Sequence, residues 1–212
     1  MYAAEVKGKR LNFCVSGMLW NRSLVMQDLE TKSFWSHILG TCEDGELKGE
    51  KLAIIPSVIT TWKDWVKRNP ETSVLNLSRT SKSFRREFYK EPRKFVFGFQ
   101  HLSDTLAFSC QMLSENKFAS GQVGELPVLA TFDPENFAAF AFDRNVDGKT
   151  LTFTLSKNGN ALVDNETESR WDLATGKAIG GPMAGKALAP AQAIISYRRA
   201  WEKFHLGGEI VD

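Results

Sequence analysis

The chain contains one unit twice, and this duplication constrains the fold more than any other feature of the sequence. Val6–Phe13 (VKGKRLNF) returns as Val146–Phe153 (VDGKTLTF), and Asp28–Trp35 (DLETKSFW) returns as Asp164–Trp171 (DNETESRW). A ladder of glycines, a leucine and a tryptophan then follows in register in both copies. We expect the features that both copies keep to be scaffold, and we look for a site among the features that one copy has alone.

One such feature is an insertion. Copy one has four more residues than copy two between the two repeated motifs, and the extra length falls in Ser16–Ser23 (SGMLWNRS), where copy two has the turn-like Ser156–Asn160 (SKNGN). The hydroxyl, amide, guanidinium and indole groups of this loop are suited to holding a small polar ligand. Alternatively, the insertion is only a longer hairpin that binds nothing, and its Trp20 covers the core.

A second difference lies in front of the repeat. An apolar run over 137–142 leads into copy two, but copy one has no counterpart of roughly residues 123–140. Half a hairpin would expose unpaired backbone N–H and C=O groups. We therefore expect unit one to be N-terminally truncated here, with the natural polypeptide beginning upstream of Met1.

Turn and strand patterns predict a mainly β structure. Asp147-Gly148 follows the apolar run and precedes the alternating Leu151–Leu155, and Lys7-Gly8 takes the same place in copy one. Asp-Gly supplies the positive φ angles that a two-residue hairpin turn needs. Further strands are predicted in the middle of the chain at 73–77, 95–99, 105–112 and 127–132.

Each copy is predicted to close with a short helix. In copy one the helix begins at Pro56-Ser57, with Ser57 as N-cap, and stops at Asn69-Pro70. Copy two has a matching apolar stripe made of Ile194, Tyr197, Trp201 and Phe204. Such a stripe is the apolar face that covers a sheet.

These elements predict a β-rich α+β fold of two pseudo-twofold-related β units, sandwich- or barrel-like, each closed by a short helix. Residues 1–72 form unit one, 73–122 the intervening strands and 123–212 unit two, all within one compact domain. With 212 residues, of which 42% are hydrophobic and 25% charged, the chain can bury the core of such a domain.

Charge and cysteine content argue against several classes of function. The net charge of +2 gives no general attraction to nucleic acid or acidic membranes, and no stretch has the length of a membrane-spanning helix. Cys14, Cys42 and Cys110 are odd in number and lack short paired spacing, so they predict neither a disulfide framework nor a zinc site. The sequence has no phosphate loop, nucleophile elbow or dinucleotide fingerprint.

Longer motifs lie on and around the repeat, namely Phe13–Asn21 (FCVSGMLWN), Met26–His37 (MQDLETKSFWSH), Thr61–Trp65 (TWKDW) and Asn69–Thr72 (NPET). Together they resemble the uncharacterised prokaryotic family catalogued as domain of unknown function 3179, over essentially the whole chain. The resemblance implies a family name and no settled activity.

Two departures from that family bear on chemistry. The resemblance implies a Cys-Pro-x-Cys motif in the strand before Met1, and this sequence does not contain one. A redox or metal role of such a thiol pair therefore has no residues here to carry it. The resemblance also implies glycine where Cys14 stands, so Cys14 is particular to this chain.

Asp28 and Trp35 recur in copy two as Asp164 and Trp171. An aspartate that accepts turn N–H groups beside an indole is a common structural pairing, so a scaffold role is favoured. A ligand-binding role for Asp28 is the alternative, because an acid in a cleft can have a perturbed pKa.

His37 is more informative because copy two has Leu173 in its place. A lone histidine becomes a general base or metal ligand only with partners, and the candidates are Asp28, Ser16 and Cys14. A Cys14–His37 pair would form an activated nucleophile if the two side chains met in space. Cys14 is thus the candidate reactive thiol.

Residues 79–94 form a basic stretch interleaved with Phe84, Phe88 and Tyr89. Basic residues beside aromatic platforms are typical of nucleic-acid binding. A solvated face is favoured instead, because the whole chain is close to neutral.

The predicted function is a non-enzymatic small-ligand-binding or interaction module with its pocket at the junction of the two units. Its site residues are Ser16, Asn21, Arg22, Asp28 and His37. One alternative is an enzyme or redox or metal protein that uses Cys14 or His37, together with a Cys-Pro-x-Cys segment upstream of Met1 if one exists. A weaker alternative is nucleic-acid association through residues 79–94. No catalytic residue, metal ligand or cofactor is assigned, and the oligomeric state stays open. The compartment is cytoplasmic if Met1 is the true start and exported if a segment precedes it.

Overall fold

The computed structural model describes residues 1–74 and 91–212. Copy one begins with a small antiparallel hairpin and continues as a four-stranded antiparallel sheet with its strands in chain order. Its elements are β1 (Glu5–Val6), β2 (Lys9–Arg10), β3 (Phe13–Trp20), β4 (Ser23–Asp28), β5 (Phe34–Ser36), β6 (Cys42–Asp44) and helix α1 (Trp62–Arg68).

The middle of the chain, after a 3-10 turn over Pro92–Lys94, supplies two further sheets. Its elements are β7 (Phe95–His101), β8 (Asp104–Ser109), helix α2 (Cys110–Asn116), β9 (Phe118–Val123), β10 (Leu126–Asp133) and β11 (Ala138–Asp143). Strands β9, β10 and β11 form an antiparallel meander, whereas β7 and β8 are the central pair of a mixed four-stranded sheet.

Copy two repeats the order of copy one and then joins the middle sheet. Its elements are β12 (Asn145–Val146), β13 (Lys149–Thr150), β14 (Phe153–Leu155), β15 (Leu162–Asp164), β16 (Arg170–Trp171), β17 (Ala178–Gly180), β18 (Ala193–Tyr197), helix α3 (Arg198–Phe204) and β19 (Glu209–Val211). Strand β18 pairs antiparallel with β7, and β19 pairs parallel with β8.

The predicted duplication and the mainly β fold class are confirmed. The hairpin turns match, with φ of 50° at both Lys7 and Asp147 and positive φ at the glycine that follows each of them. The sheet order β3-β4-β5-β6 recurs as β14-β15-β16-β17, and α1 and α3 occupy corresponding positions of the repeat. In the described part of the chain no sheet closes into a barrel.

The repeated glycines have a steric reason. At Gly45, with φ of 104°, an added Cβ would lie 2.7 Å from the Cα of Ser33. At Gly181, with φ of 88°, it would lie 2.6 Å from the Cα of Ser169. Only glycine combines this backbone conformation with such a close approach, so the ladder is a property of the scaffold.

Each copy has a small core of its own around the repeated tryptophan. Trp35 and Trp171 are completely buried, and the rings of Phe13 and Phe153 meet them edge to face at 5.7 and 6.1 Å between centroids. A larger core lies in the middle of the chain around the phenylalanines of β7, β8 and β10. The core of copy two also includes Leu129 of β10 and Phe142 of β11, whereas the core of copy one is built from its own residues.

The predicted starts of the closing helices are wrong. Helix α1 begins after Thr61, whose side chain accepts a hydrogen bond from the Asp64 N–H at 3.2 Å, and not at Ser57. The intervening run from Val58 to Thr61 is β-branched, and such residues disfavour helix. Helix α3 begins at Arg198, so Ile194 and Tyr197 belong to strand β18. The predicted end of the first helix at Asn69 is confirmed.

The strand predicted over 105–112 is correct only to Ser109. Helix α2 starts there because the Ser109 hydroxyl caps it, accepting from the Met112 N–H at 3.1 Å. Of the strand predicted over 73–77, only residues 73 and 74 are described, and they are not in a strand. The predictions over 95–99 and 127–132 are confirmed as parts of β7 and β10.

Candidate functional site

The repeated aspartate is the hydrogen-bond acceptor of its turn. The Asp28 carboxylate accepts from the Thr31 N–H at 2.6 Å and from the Trp35 indole N–H at 2.9 Å. In copy two Asp164 accepts the same bonds from Thr167 and Trp171. Two copies with the same hydrogen bonds indicate scaffold rather than chemistry.

Hydrogen bonding also decides the ionisation of Asp28. Burial raises the pKa of this carboxyl, but the bonds from Trp35 and Thr31 favour the charged form and together hold its pKa below the usual range. Asp28 is therefore an ionised acceptor that is engaged within its own turn.

The insertion in copy one is not the loop that its sequence predicts. Strand β3 continues to Trp20, with a break in register between Val15 and Leu19. The Ser16 hydroxyl bridges that break, since it donates to the Val25 carbonyl at 2.6 Å and accepts from the Met18 N–H at 3.1 Å. Ser16 therefore shapes the strand.

Only Asn21 and Arg22 form the connection from β3 to β4, which we call the copy-one hairpin tip. Both residues have positive φ, 48° and 65°, as a tight two-residue hairpin turn requires. The tip rests on the other copy, because the Trp20 ring meets Phe204 of α3 edge to face at 4.8 Å. The four extra residues thus extend a hairpin from copy one onto the closing helix of copy two.

Cys14 and His37 lie apart in this arrangement. Cys14 is half-buried in β3, opposite Gln27 of β4. His37 is exposed in the turn after β5, where local desolvation and the positive N-terminus lower its pKa. Among the residues that the structure describes, no side-chain hydrogen bond joins any two of Cys14, Ser16, Asp28 and His37. Over the same residues no group of three or more His, Cys, Asp or Glu is placed to hold a metal ion.

An open pocket of about 790 Å³ lies between the copy-one hairpin tip and helix α3. We call it the junction pocket. Its lining consists of Asn21, Arg22, Arg93, Lys94, Tyr197, Arg198, Arg199, Ala200 and Lys203. Six of these side chains are cationic, and no carboxylate lines the pocket within the described ranges. Of the predicted site residues, Asn21 and Arg22 lie here, whereas Ser16, Asp28 and His37 do not.

Part of this charge is compensated from outside the pocket. Glu91 approaches Lys94 at 2.6 Å and Arg93 at 3.4 Å. Arg198 donates to the Asp212 carboxylate, at 2.8 Å for the Nη2–Oδ2 pair, and to Glu202 at 3.1 Å. The pKa of Arg198 is raised above its ordinary value, chiefly by the bond to Asp212.

Three cations of the pocket have no anionic partner in the part of the chain that the structure describes. Arg22, Arg199 and Lys203 form no ion pair among the described residues, and all three are exposed. Arg22 comes from copy one, whereas Arg199 and Lys203 are four residues apart on α3 and so share a helix face.

The reciprocal junction between the copies has the opposite character. A pocket of about 280 Å³ lies between Arg68 of α1 and Asn160 at the tip of the copy-two hairpin. Its charged lining residues are Arg68, Lys117, Asp133, Glu135 and Asp172. Acids outnumber bases there, and Arg68 lies 3.0 Å from Asp64 and 4.0 Å from Asp133. The two junctions therefore differ in the charge of their lining.

Sequence reasoning missed the α3 side of the junction pocket. Arg199 and Lys203 form a basic helix face that can be recognised in the sequence. Nothing in the neighbouring sequence indicates that a hairpin far away along the chain lies opposite this face. Of the basic stretch 79–94, residues 79–90 lie outside the described residues, and Arg93 and Lys94 reach the pocket.

The sequence model of the family described as protein of unknown function (DUF3179) matches this chain twice, over residues 1–95 and 90–212. The chain therefore belongs to that family and carries two copies of its domain, which agrees with the internal repeat. No curated protein and no solved structure matches it. No described helix is both long and apolar enough to cross a membrane.

Proposed function

We propose that this two-copy member of the family is a binding module that takes a small anionic ligand in the junction pocket. One observation carries the proposal: six cationic side chains from three parts of the chain line the pocket, and no described carboxylate lies among them. Like charges repel, so a cationic cluster of this kind is stabilised when an anion enters it.

The dimensions and construction of the pocket support this proposal. A volume of about 790 Å³ falls within the range of small-molecule sites. One wall is a tight hairpin pinned to α3 by the contact between Trp20 and Phe204, so the wall is in place before a ligand arrives. A preformed wall lowers the ordering cost of binding.

The proposal assigns binding and no reaction. The candidate nucleophile Cys14 and the candidate base His37 share no hydrogen bond in the described structure, and general-base activation needs such contact. Neither residue lines the junction pocket.

Isothermal titration at low ionic strength tests the proposal with acetate, citrate, orthophosphate and tripolyphosphate as probes. We expect saturable binding of at least one of them. The variant Arg199→Glu/Lys203→Glu reverses two exposed charges of the pocket and should weaken that binding by about 100-fold or more.

The repeat offers a matched control. Lys63 and Lys67 occupy the corresponding exposed positions of α1, so Lys63→Glu/Lys67→Glu makes the same change in charge on the equivalent helix. We expect this variant to bind as the wild type does. Binding of none of the four probes, or equal weakening by both double variants, contradicts the proposed function.

A further inference from the structure

We infer that the ligand of the junction pocket is a multivalent anion of the phosphate type, with at least two ionised groups that contact both copies at once. This inference rests on the proposed function and adds the chemical class of the ligand. It follows from the number of uncompensated cations, from where they come in the chain, and from their chemistry.

The number comes first. Glu91, Glu202 and Asp212 compensate Arg93, Lys94 and Arg198, so these three cations already have anionic partners inside the protein. The remaining three, Arg22, Arg199 and Lys203, have none among the described residues. A monovalent ligand such as a simple carboxylate would leave most of that charge unbalanced, whereas a multivalent anion balances it.

The positions of the three uncompensated cations in the chain imply at least two anionic groups on the ligand. Arg22 stands on the copy-one hairpin tip, and Arg199 and Lys203 stand one helical turn apart on α3. These cations therefore face the pocket from opposite walls, which the contact between Trp20 and Phe204 holds together. A ligand that satisfies both walls presents separate anionic groups to each of them.

The side-chain types favour phosphate. Arginine has a planar, weakly hydrated guanidinium whose fork of donors matches phosphate oxygens in pairs. Arg22 and Arg199 offer two such forks, and Lys203 adds a point charge. The reciprocal junction around Arg68 has Asp133 and Asp172 in its lining, so the same class of ligand is repelled there.

The test compares ligands of increasing charge under one fixed salt concentration. Wild-type protein is titrated with acetate, orthophosphate, pyrophosphate and tripolyphosphate. We expect the dissociation constant to fall about tenfold or more from orthophosphate to tripolyphosphate, because the longer anion reaches a second charged wall.

A single substitution separates the two walls. Arg22→Gln should remove most of the gain between orthophosphate and tripolyphosphate, while orthophosphate still binds through Arg199 and Lys203. The control Arg10→Gln makes the same substitution at an exposed residue of β2, outside the pocket, and should keep the gain.

Three results would overturn the inference. If acetate and tripolyphosphate bind equally and Arg199→Glu/Lys203→Glu abolishes both, the proposed function stands and the ligand is not multivalent. If Arg22→Gln and Arg10→Gln keep the same gain in affinity from orthophosphate to tripolyphosphate, the copy-one wall takes no part in binding. If a short single-stranded oligonucleotide binds more than about tenfold tighter than tripolyphosphate at the same salt, the pocket belongs to a nucleic-acid backbone site rather than a small-anion site. Failure of every probe to bind contradicts the proposed function itself.

Discussion

Replacing Asp28 by alanine is the sharpest test of the scaffold role that the repeat assigns to this residue. Asp28 is fully buried and accepts from the Thr31 N–H and the Trp35 indole N–H, and Trp35 is itself completely buried. The Thr31 hydroxyl can turn to Ser33, which it already contacts at 2.6 Å. The two N–H donors have no second acceptor among the hydrogen bonds of the described residues.

The expected loss follows from these two donors. A buried donor without a partner costs about 1–3 kcal/mol; the buried Trp35 indole N–H and the partly buried Thr31 N–H together give about 4 kcal/mol as the upper expectation. In a chain of this length each kcal/mol lowers the melting temperature by roughly 2–4 °C, which predicts a fall of about 8–16 °C for Asp28→Ala. Urea unfolding followed by tryptophan fluorescence measures the free energy, and differential scanning calorimetry measures the melting temperature.

Two comparisons control this experiment. Asp44→Ala removes an exposed aspartate from the same sheet and should change the free energy of unfolding by less than about 0.5 kcal/mol. Asp164→Ala removes the equivalent acceptor of copy two and should be as costly as Asp28→Ala, because Thr167 and Trp171 lose the same bonds. A loss below about 1 kcal/mol for Asp28→Ala would refute the reasoning, since it would mean that the buried donors find other partners.

Two further predictions concern protonation and thiol chemistry. The pKa of Asp28 is depressed in the folded state, so its contribution to stability is present above the unfolded pKa of about 4 and is lost as pH falls through the folded pKa. The urea midpoint should therefore fall less steeply between pH 6 and pH 3 in Asp28→Ala than in the wild type. Parallel curves for the two proteins would contradict this prediction. Burial raises the pKa of the Cys110 thiol to about 12 and also raises that of Cys42, whereas Cys14 is half-buried, so iodoacetamide at pH 8 should alkylate Cys14 first. Peptide mass spectrometry after partial reaction measures the order, and faster labelling of Cys42 or Cys110 would show it to be wrong.

The sequence predicted the scaffold well because the scaffold is built from local, repeated signals. The turn at Asp147-Gly148 and the Asp28–Trp35 motif each specify their own backbone within a few residues, and the second copy verifies the first. Helix α2 escaped prediction because its start depends on one hydroxyl, that of Ser109, in a stretch that otherwise reads as strand. The start of α1 was misplaced because Pro56-Ser57 resembles a cap, although the β-branched residues after it do not form helix.

The candidate site was predictable only in part, for a reason of chain topology. The insertion directed attention to Asn21 and Arg22, and they do line the junction pocket. Their partners Arg199 and Lys203 come from the far end of the chain, and only the packing of the copy-one hairpin onto α3 brings the two groups together. No spacing in the sequence reports such a contact.

The difference between the two junctions lies in what faces the helix rather than in the helix itself. Both α1 and α3 carry exposed cations at corresponding positions, Lys63 and Lys67 in one and Arg199 and Lys203 in the other. At α1 the helix ends in Arg68, which lies near Asp133 in a lining with three acids and two bases. At α3 the longer hairpin of copy one brings Arg22 opposite the helix and no acid lines the pocket within the described residues. The longer hairpin of copy one therefore accounts for the presence of Arg22 opposite α3, and the remaining difference in charge comes from lining residues elsewhere in the chain.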